Sequence, residues 1–106
     1  MAHERYRSCI EACVACAQRC EHCEDACLGT TAMIACARAC RDCSELCWVS
    51  SGYMSRGSQL AADICRVCAR ACDLCAAECA KHAAEHCKWC AKACQRCAEE
   101  CRKMAA

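Results

Sequence analysis

The stretch from residue 9 to residue 27 reads CIEACVACAQRCEHCEDAC, and its cysteines are separated by alternating steps of four and three residues. Such steps average about 3.5 residues, which places every cysteine of the stretch on one stripe of an α-helix. The residues between them are mostly helix formers such as Ala, Glu and Arg, and the chain contains no proline. The stretch therefore predicts a helix with one face made of cysteine.

The same spacing recurs in three further groups, so the cysteines of the chain form four helical stripes. We expect helices at about residues 4–28, 31–49, 58–81 and 84–104. The 20 cysteines, in their four groups, are Cys9, Cys13, Cys16, Cys20, Cys23 and Cys27; Cys36, Cys40, Cys43 and Cys47; Cys65, Cys68, Cys72, Cys75 and Cys79; and Cys87, Cys90, Cys94, Cys97 and Cys101.

The breaks between the stripes are short. Gly29 followed by Thr30 and Thr31 is typical of a C′ glycine and an N-cap, and Ser58 is the expected N-cap of the third helix. The last break, near residues 82–84, is indicated only by a change in the phase of the cysteine spacing. Short connections favour antiparallel neighbours, so we predict an all-α, antiparallel up-down-up-down four-helix bundle: one domain over residues 1–106, with a cysteine-lined core.

Composition supports a core of sulfur and says little about partners. Cysteine makes up 20 of 106 residues, phenylalanine is absent, and aromatic residues are only 4% of the chain, so cysteine itself must fill the interior. The 14 basic and 13 acidic residues are interspersed, which argues against nucleic-acid or membrane binding. No window approaches the roughly 18 consecutive apolar residues of a membrane span, and we expect a soluble domain.

So much cysteine usually indicates a secreted disulfide scaffold. However, residues 1–8 contain no apolar segment and no cleavage signal for export, and helical periodicity is not typical of a loop-rich disulfide framework. Neighbours on one helix are poorly placed for a disulfide, although pairs between helices would be feasible. We therefore expect reduced thiols and a cytoplasmic location.

Reduced thiols in such number leave two interpretations, a core of small hydrophobes or a metal site. Sites made of thiolate alone select Cu(I), Zn(II) or iron–sulfur clusters. Nine separate CxxxC pairs can be drawn, leaving Cys65 and Cys87 outside, and each pair offers two sulfurs one turn apart, which suits Cu(I). One Cu(I) per thiolate also leaves the core neutral, which predicts up to about 20 ions per chain and proton release on loading.

The stripes extend beyond the cysteines at both ends of the bundle. At one end Met33 precedes Cys36 by three residues and His82 follows Cys79 by three, with His86 nearby. We predict a copper entrance there, with Met33, His82 and His86 as auxiliary ligands; the alternative is a set of solvated histidines and one core methionine.

At the other end the stripes reach residues that predict an apolar plug: Tyr6, Ala61 and Met104, with Met54 in the neighbouring loop. The alternative is that Met104 binds copper. His3 and His22 fall off the sulfur stripes, so we interpret both as surface residues.

A second apolar line runs along the third helix, formed by Leu60, Val67 and Leu74 at intervals of seven residues. Trp48 and Trp89 also fall on outer positions. An exposed apolar line usually indicates an interface, so we predict self-association through helix faces.

The chain resembles the four-helix-bundle copper storage proteins, in particular their cytosolic branch. The similarity covers essentially the whole chain and is strongest from Cys79 to Met104, where a histidine-containing turn joins two CxxxC-lined helices. The resemblance implies a homo-oligomer, commonly a tetramer, that stores many Cu(I) ions in each bundle. It also places a histidine and methionine opening at the predicted entrance.

We therefore predict a cytosolic Cu(I) storage and buffering protein that has no enzymatic activity and exchanges copper with a chaperone or an apo-cuproenzyme. No acid, base or nucleophile stands apart from the repeated pattern. The alternatives are a zinc–thiolate buffer, a thiol redox or iron–sulfur protein, and a purely structural bundle. A redox protein would need one or two privileged cysteines rather than a uniform array.

Overall fold

Helical structure follows the cysteine stripes closely in the computed structural model, which describes residues 2–106 and their side chains from Glu4 onward; His3 lies outside the described side chains. A 3₁₀ turn at Thr31–Met33 leads into the second helix. The four helices are α1 (Ala2–Cys27), α2 (Ile34–Ser55), α3 (Ala61–Cys79) and α4 (Glu85–Ala105).

The second helix is longer than predicted, because α2 continues to Ser55 instead of ending near residue 49. The segment taken as a loop keeps the cysteine spacing: Ser50 follows Cys47 by three residues and Met54 follows Ser50 by four, and both side chains are buried. Burial of Met54 in the core stabilises the extra turns against the poor helix propensity of serine and glycine. The third helix consequently begins at Ala61, three residues later than predicted.

The connections confirm some of the predicted turn chemistry. Gly29 ends α1 with φ of 87°, a left-handed conformation that favours glycine. The Ser58 hydroxyl accepts a hydrogen bond from the backbone N–H of Leu60 at 3.0 Å, so it caps the turn before α3 rather than the helix itself. Thr30 is the N-cap residue of the 3₁₀ turn, with an extended backbone, but its side chain makes no capping hydrogen bond. The last connection covers residues 80–84, as the phase break predicted.

The four helices form the predicted square bundle. Helix α1 packs against α2 and α4, and α3 packs against the same two helices, so α1 and α3 face each other across the core. The Cα atoms extend over 44 × 18 × 18 Å, a long and narrow shape whose axis is the line on which the four cysteine stripes meet. Among the described residues, no helix is both long and apolar enough to cross a membrane.

Candidate metal centre

Every cysteine of the chain points into the bundle and is buried, with none more than 2% exposed. All of them are free thiols. Because the a/d stripes of four helices face one axis, the sulfurs form a continuous column, and most of the bulkier apolar residues, such as Val67 and Leu74, stay outside it. This arrangement agrees with the predicted cysteine-lined core.

The shortest contacts in the column join different helices. The Sγ atoms lie 3.6 Å apart between Cys16 and Cys94, and 3.6 Å apart between Cys43 and Cys72. Within one helix the CxxxC pair Cys16 and Cys20 is slightly wider, at 3.9 Å between Sγ atoms. The bundle therefore offers cross-helix sulfur pairs that are at least as close as the pairs seen in the sequence.

The sulfurs gather in groups of four as well as in the CxxxC pairs expected from the sequence. Four Sγ atoms lie within 4.8 Å of one another in several places, for example Cys16, Cys43, Cys47 and Cys72 from three helices. A metal–sulfur distance of about 2.3 Å in a tetrahedral site corresponds to about 3.8 Å between sulfurs. The separations in this column therefore suit four-coordinate zinc as well as bridged Cu(I), and distance alone does not choose the metal.

The electrostatics of the apo column keep most of its thiols protonated. Burial raises the pKa of Cys27 to about 12 and also raises the pKa of Cys87. Hydrogen bonds from neighbouring thiols have the opposite effect where they stabilise a thiolate: bonds with Cys40 and Cys79, and a smaller effect of His86, lower the pKa of Cys23 to about 5. The column is an array of thiols in which a few thiolates are held by their neighbours.

At one end of the column, which we call the histidine end, an imidazole reaches the outermost thiols. The Nδ1 atom of His86 lies 3.2 Å from the Cys23 Sγ and 3.5 Å from the Cys87 Sγ. With Cys27, these residues form a group of three sulfurs and one nitrogen within 4.8 Å of one another. Nitrogen and sulfur ligands at such distances are a plausible set for a soft or borderline metal ion.

The other predicted entrance residues lie at the same end but take different positions. Met33 is partly buried and packs against the core. His82 is also partly buried, and its Nε2 lies 3.1 Å from a carboxylate oxygen of Glu78. This hydrogen bond, together with Lys81, lowers the pKa of the Glu78 carboxyl. Thus His86 contacts the thiols directly, whereas His82 is held by Glu78.

His22 is exposed, as predicted for a surface residue, but it is not remote from the site. Its ring makes an edge contact with the ring of His86, with 6.4 Å between centroids. The sequence indicates only weakly that His22 lies near the thiols and His86, because His22 precedes Cys23 directly but falls off the cysteine stripe of α1.

The opposite end, which we call the tyrosine end, is closed. Tyr6, Met54 and Ala61 are buried there, and Met104 packs partly buried against the core. Met54 does not lie in a loop as predicted, but on α2 in the core, where the Cys65 thiol points at its thioether sulfur with 3.6 Å between the sulfurs. The spacing of three and then four residues after Cys47 is the signal that would have placed it there.

Two kinds of apolar side chain lie on the outer surface. Val67 and Leu74 are 50% and 59% exposed and line a groove between α2 and α3, together with Leu46 of α2. The two tryptophans lie elsewhere: Trp48 donates a hydrogen bond to the Glu21 carboxylate, and the Trp89 ring lies under the Arg19 guanidinium. The α2–α3 face, which includes the groove, is therefore one of the exposed apolar surfaces of the bundle; Leu28 and Ile34 are exposed at another place.

Comparison with known proteins gives a consistent result. The family model described as Csp, copper storage protein, matches residues 2–106. The Cu(I)-bound copper storage protein BsCsp3 is 40% identical over the whole of both chains, with a TM-score of 0.90. A cytosolic copper storage protein from Streptomyces lividans, solved with five coppers, is 34% identical over 98% of this chain and 94% of that chain, with a TM-score of 0.91.

A further relative is similar to most of the chain. The uncharacterized cysteine-rich protein YhjQ from Bacillus subtilis (strain 168) is 42% identical over 83 residues, which is 74% of this chain and 77% of the relative.

Proposed function

Because the chain belongs to the copper storage protein family, its function is the storage of copper, and we propose that its core thiolates hold Cu(I) at close to one ion per sulfur. The proposed ligands are all 20 cysteines, including Cys65 and Cys87, which fall outside the CxxxC pairs. The observation that carries the proposal is the continuous column of buried thiols, most of whose sulfurs lie 3.6 to 4.0 Å from another thiol sulfur. Most of these sulfurs have two or more such neighbours, which allows them to bridge two ions, whereas Cys9 and Cys68 have one each, at 3.7 Å and 3.8 Å.

Charge favours Cu(I) over zinc in this column. One Cu(I) for each thiolate leaves the interior neutral, and a neutral interior avoids the large cost of an uncompensated buried charge. A tetrahedral zinc ion with four thiolates of its own carries two net negative charges. Filling the column with such sites would accumulate negative charge in a bundle with no cation in its core.

The experiment that tests this function is an anaerobic titration of the reduced protein with Cu(I) and with Zn(II), each against a chelator of known affinity. We expect saturation near 20 Cu(I) per chain and weaker binding of zinc. Saturation at a few ions, or tighter binding of zinc than of copper, would refute storage of Cu(I).

We further propose that copper enters at the histidine end, with Met33, His82 and His86 as auxiliary ligands. The support is that these three side chains are partly exposed, whereas Tyr6, Met54 and Ala61 at the tyrosine end are buried. His86 is the first contact, since its Nδ1 lies beside the thiol of Cys23, which has a low pKa and is ready to bind.

A stopped-flow comparison tests this entrance. We expect the double variant Met33→Ala, His82→Ala to load and release Cu(I) several-fold more slowly while its copper capacity stays unchanged. Met104→Ala is the matched control, because Met104 is also partly buried but lies at the tyrosine end. Equal rates in the double variant and the wild type would contradict the proposal.

The protein is proposed to act as a cytosolic homo-oligomer, a tetramer by analogy with its family, without enzymatic activity. The apolar α2–α3 face, with exposed Val67 and Leu74, supports self-association, and the Streptomyces lividans relative is described as cytosolic. Copper is exchanged with a chaperone or an apo-cuproenzyme, without nucleic-acid or membrane binding. A monomeric mass by light scattering at micromolar concentration would refute the oligomer.

A further inference from the structure

The tyrosine end contains a thioether sulfur in addition to the thiols. Closing this end of the column would not require a sulfur atom. Met54 is fully buried, and its Sδ lies 3.6 Å from the Cys65 Sγ. This separation equals the closest contacts between core thiols. A thioether at such a distance is in the same spatial relation to a thiol as the predicted copper ligands are to one another.

Cys65 needs a partner from another helix. The positions four residues before and after it on α3 are Ala61 and Ala69, so it has no CxxxC partner of its own. Cys68 is only three residues away but belongs to the next pair in the stripe. The thioether of Met54, on the neighbouring α2, therefore faces the one thiol of α3 that lacks a partner one turn away.

The same end is not a simple apolar plug. Ser50 lies one turn before Met54 on the same face of α2 and is fully buried. In the described part of the chain, its hydroxyl oxygen is the buried side-chain polar atom without a hydrogen-bond partner. A segment selected for closure alone would carry an apolar residue at this position, since an unsatisfied buried hydroxyl is costly.

We propose that Met54 is a copper ligand, and that its thioether and the thiolate of Cys65 form a terminal Cu(I) site at the tyrosine end. This inference rests on the proposed function. Cu(I) replaces the thiol proton of Cys65, which is released, and accepts an electron pair from each sulfur. One thiolate and one thioether leave the site neutral, and both are soft ligands of the kind that Cu(I) prefers.

The two ends of the column then have the same kind of site, a thiolate beside a neutral donor. Cys65 and Cys87 are the cysteines outside the CxxxC pairs, and each lies beside a donor that adds no charge. At the tyrosine end the donor is the Met54 sulfur, and at the histidine end it is the His86 nitrogen, 3.5 Å from the Cys87 Sγ. A neutral donor completes the coordination of a terminal ion without disturbing the balance of one Cu(I) per thiolate.

The test uses selenomethionine as the probe. Selenomethionine-labelled protein is loaded with Cu(I) to saturation, and X-ray absorption at the selenium edge is searched for a copper–selenium vector. The decisive variant is Met33→Leu, Met104→Leu, which leaves Met54 as the methionine of the core. The matched blank carries Met54→Leu as well, and leucine is chosen because exchange with methionine nearly preserves volume.

We expect copper–selenium scattering in the wild type and in the double variant, and its loss in the triple variant. Full copper loading without such scattering in the double variant would overturn the role of Met54 while leaving the storage function intact. Equal scattering in the double and triple variants would overturn it as well. A protein that takes up only a few copper ions would instead refute the storage function, so the two failures are distinguishable.

Discussion

Loading the folded, reduced protein with Cu(I) at pH 10 is expected to release about 10 protons per chain or more, because two neighbouring thiols cannot both be ionised. Thirteen of the 20 thiols have a pKa raised above its ordinary value of 9.0 by burial and by neighbouring thiols. A raised pKa keeps a thiol protonated to higher pH, and each protonated thiol must lose its proton when copper binds. The other seven have lowered pKa values, but adjacent members of this set, such as Cys16 and Cys43 with 3.8 Å between their sulfurs, cannot both be thiolates.

The distances in the column account for this protonation. Two thiolates 3.6 Å apart, the separation between the sulfurs of Cys16 and Cys94, repel each other by about 4.6 kcal/mol at an effective dielectric constant of about 20. One such neighbour would raise a thiol pKa by about three units. Adjacent thiols therefore cannot all ionise, and protons stay in the column until a cation replaces them.

The assay is an anaerobic pH-stat titration with a Cu(I)–acetonitrile complex, which brings no proton of its own. The control is the same chain unfolded in guanidinium chloride, whose thiols are about 90% ionised at pH 10 and should release only about two protons per chain. The folded and unfolded chains should thus differ about five-fold or more. A release of about two protons from the folded protein would refute the electrostatic argument.

Two further predictions concern the apo protein. Because the Cys27 thiol has a pKa of about 12 when folded and about 9 when unfolded, the fold holds its proton longer than the unfolded chain does, and stability falls as the pH rises above about 9. Between pH 8 and pH 10 the wild type should lose about 1.4 kcal/mol more unfolding free energy than the Cys27→Ala variant. Urea denaturation at both pH values measures this difference. Equal losses in the two proteins would show that the raised pKa of Cys27 is not the cause. The Gly29→Ala variant should lose about 1 kcal/mol of unfolding free energy, because φ at this position is 87°. The Gly52→Ala variant, inside α2, should gain about 0.5 kcal/mol once the flexible Arg56 side chain moves aside. Urea denaturation measures both changes, and the same sign for the two variants would contradict this account.

The fold and most of the candidate site follow from the spacing of one residue type. Steps of three and four residues place side chains on one face of a helix whatever the surroundings, so the four helices and their buried faces were predictable. The end of α2 was not predicted, because Ser50 and Gly52 carry loop propensity while the buried Met54 outweighs it in the tertiary structure. Local propensity amounts to fractions of a kcal/mol per residue, and burial of one large side chain exceeds it.

The sequence by itself determined that the chain would be a bundle with its thiols on one axis, since periodicity is a local property of the backbone. Only the tertiary structure decided which sulfurs become neighbours. The contacts of Cys16 with Cys94, of His86 with Cys23, and of Met54 with Cys65 depend on the rotation and height of each helix relative to the next. These are fixed by packing between residues far apart in the chain, and spacing along one helix carries no information about them.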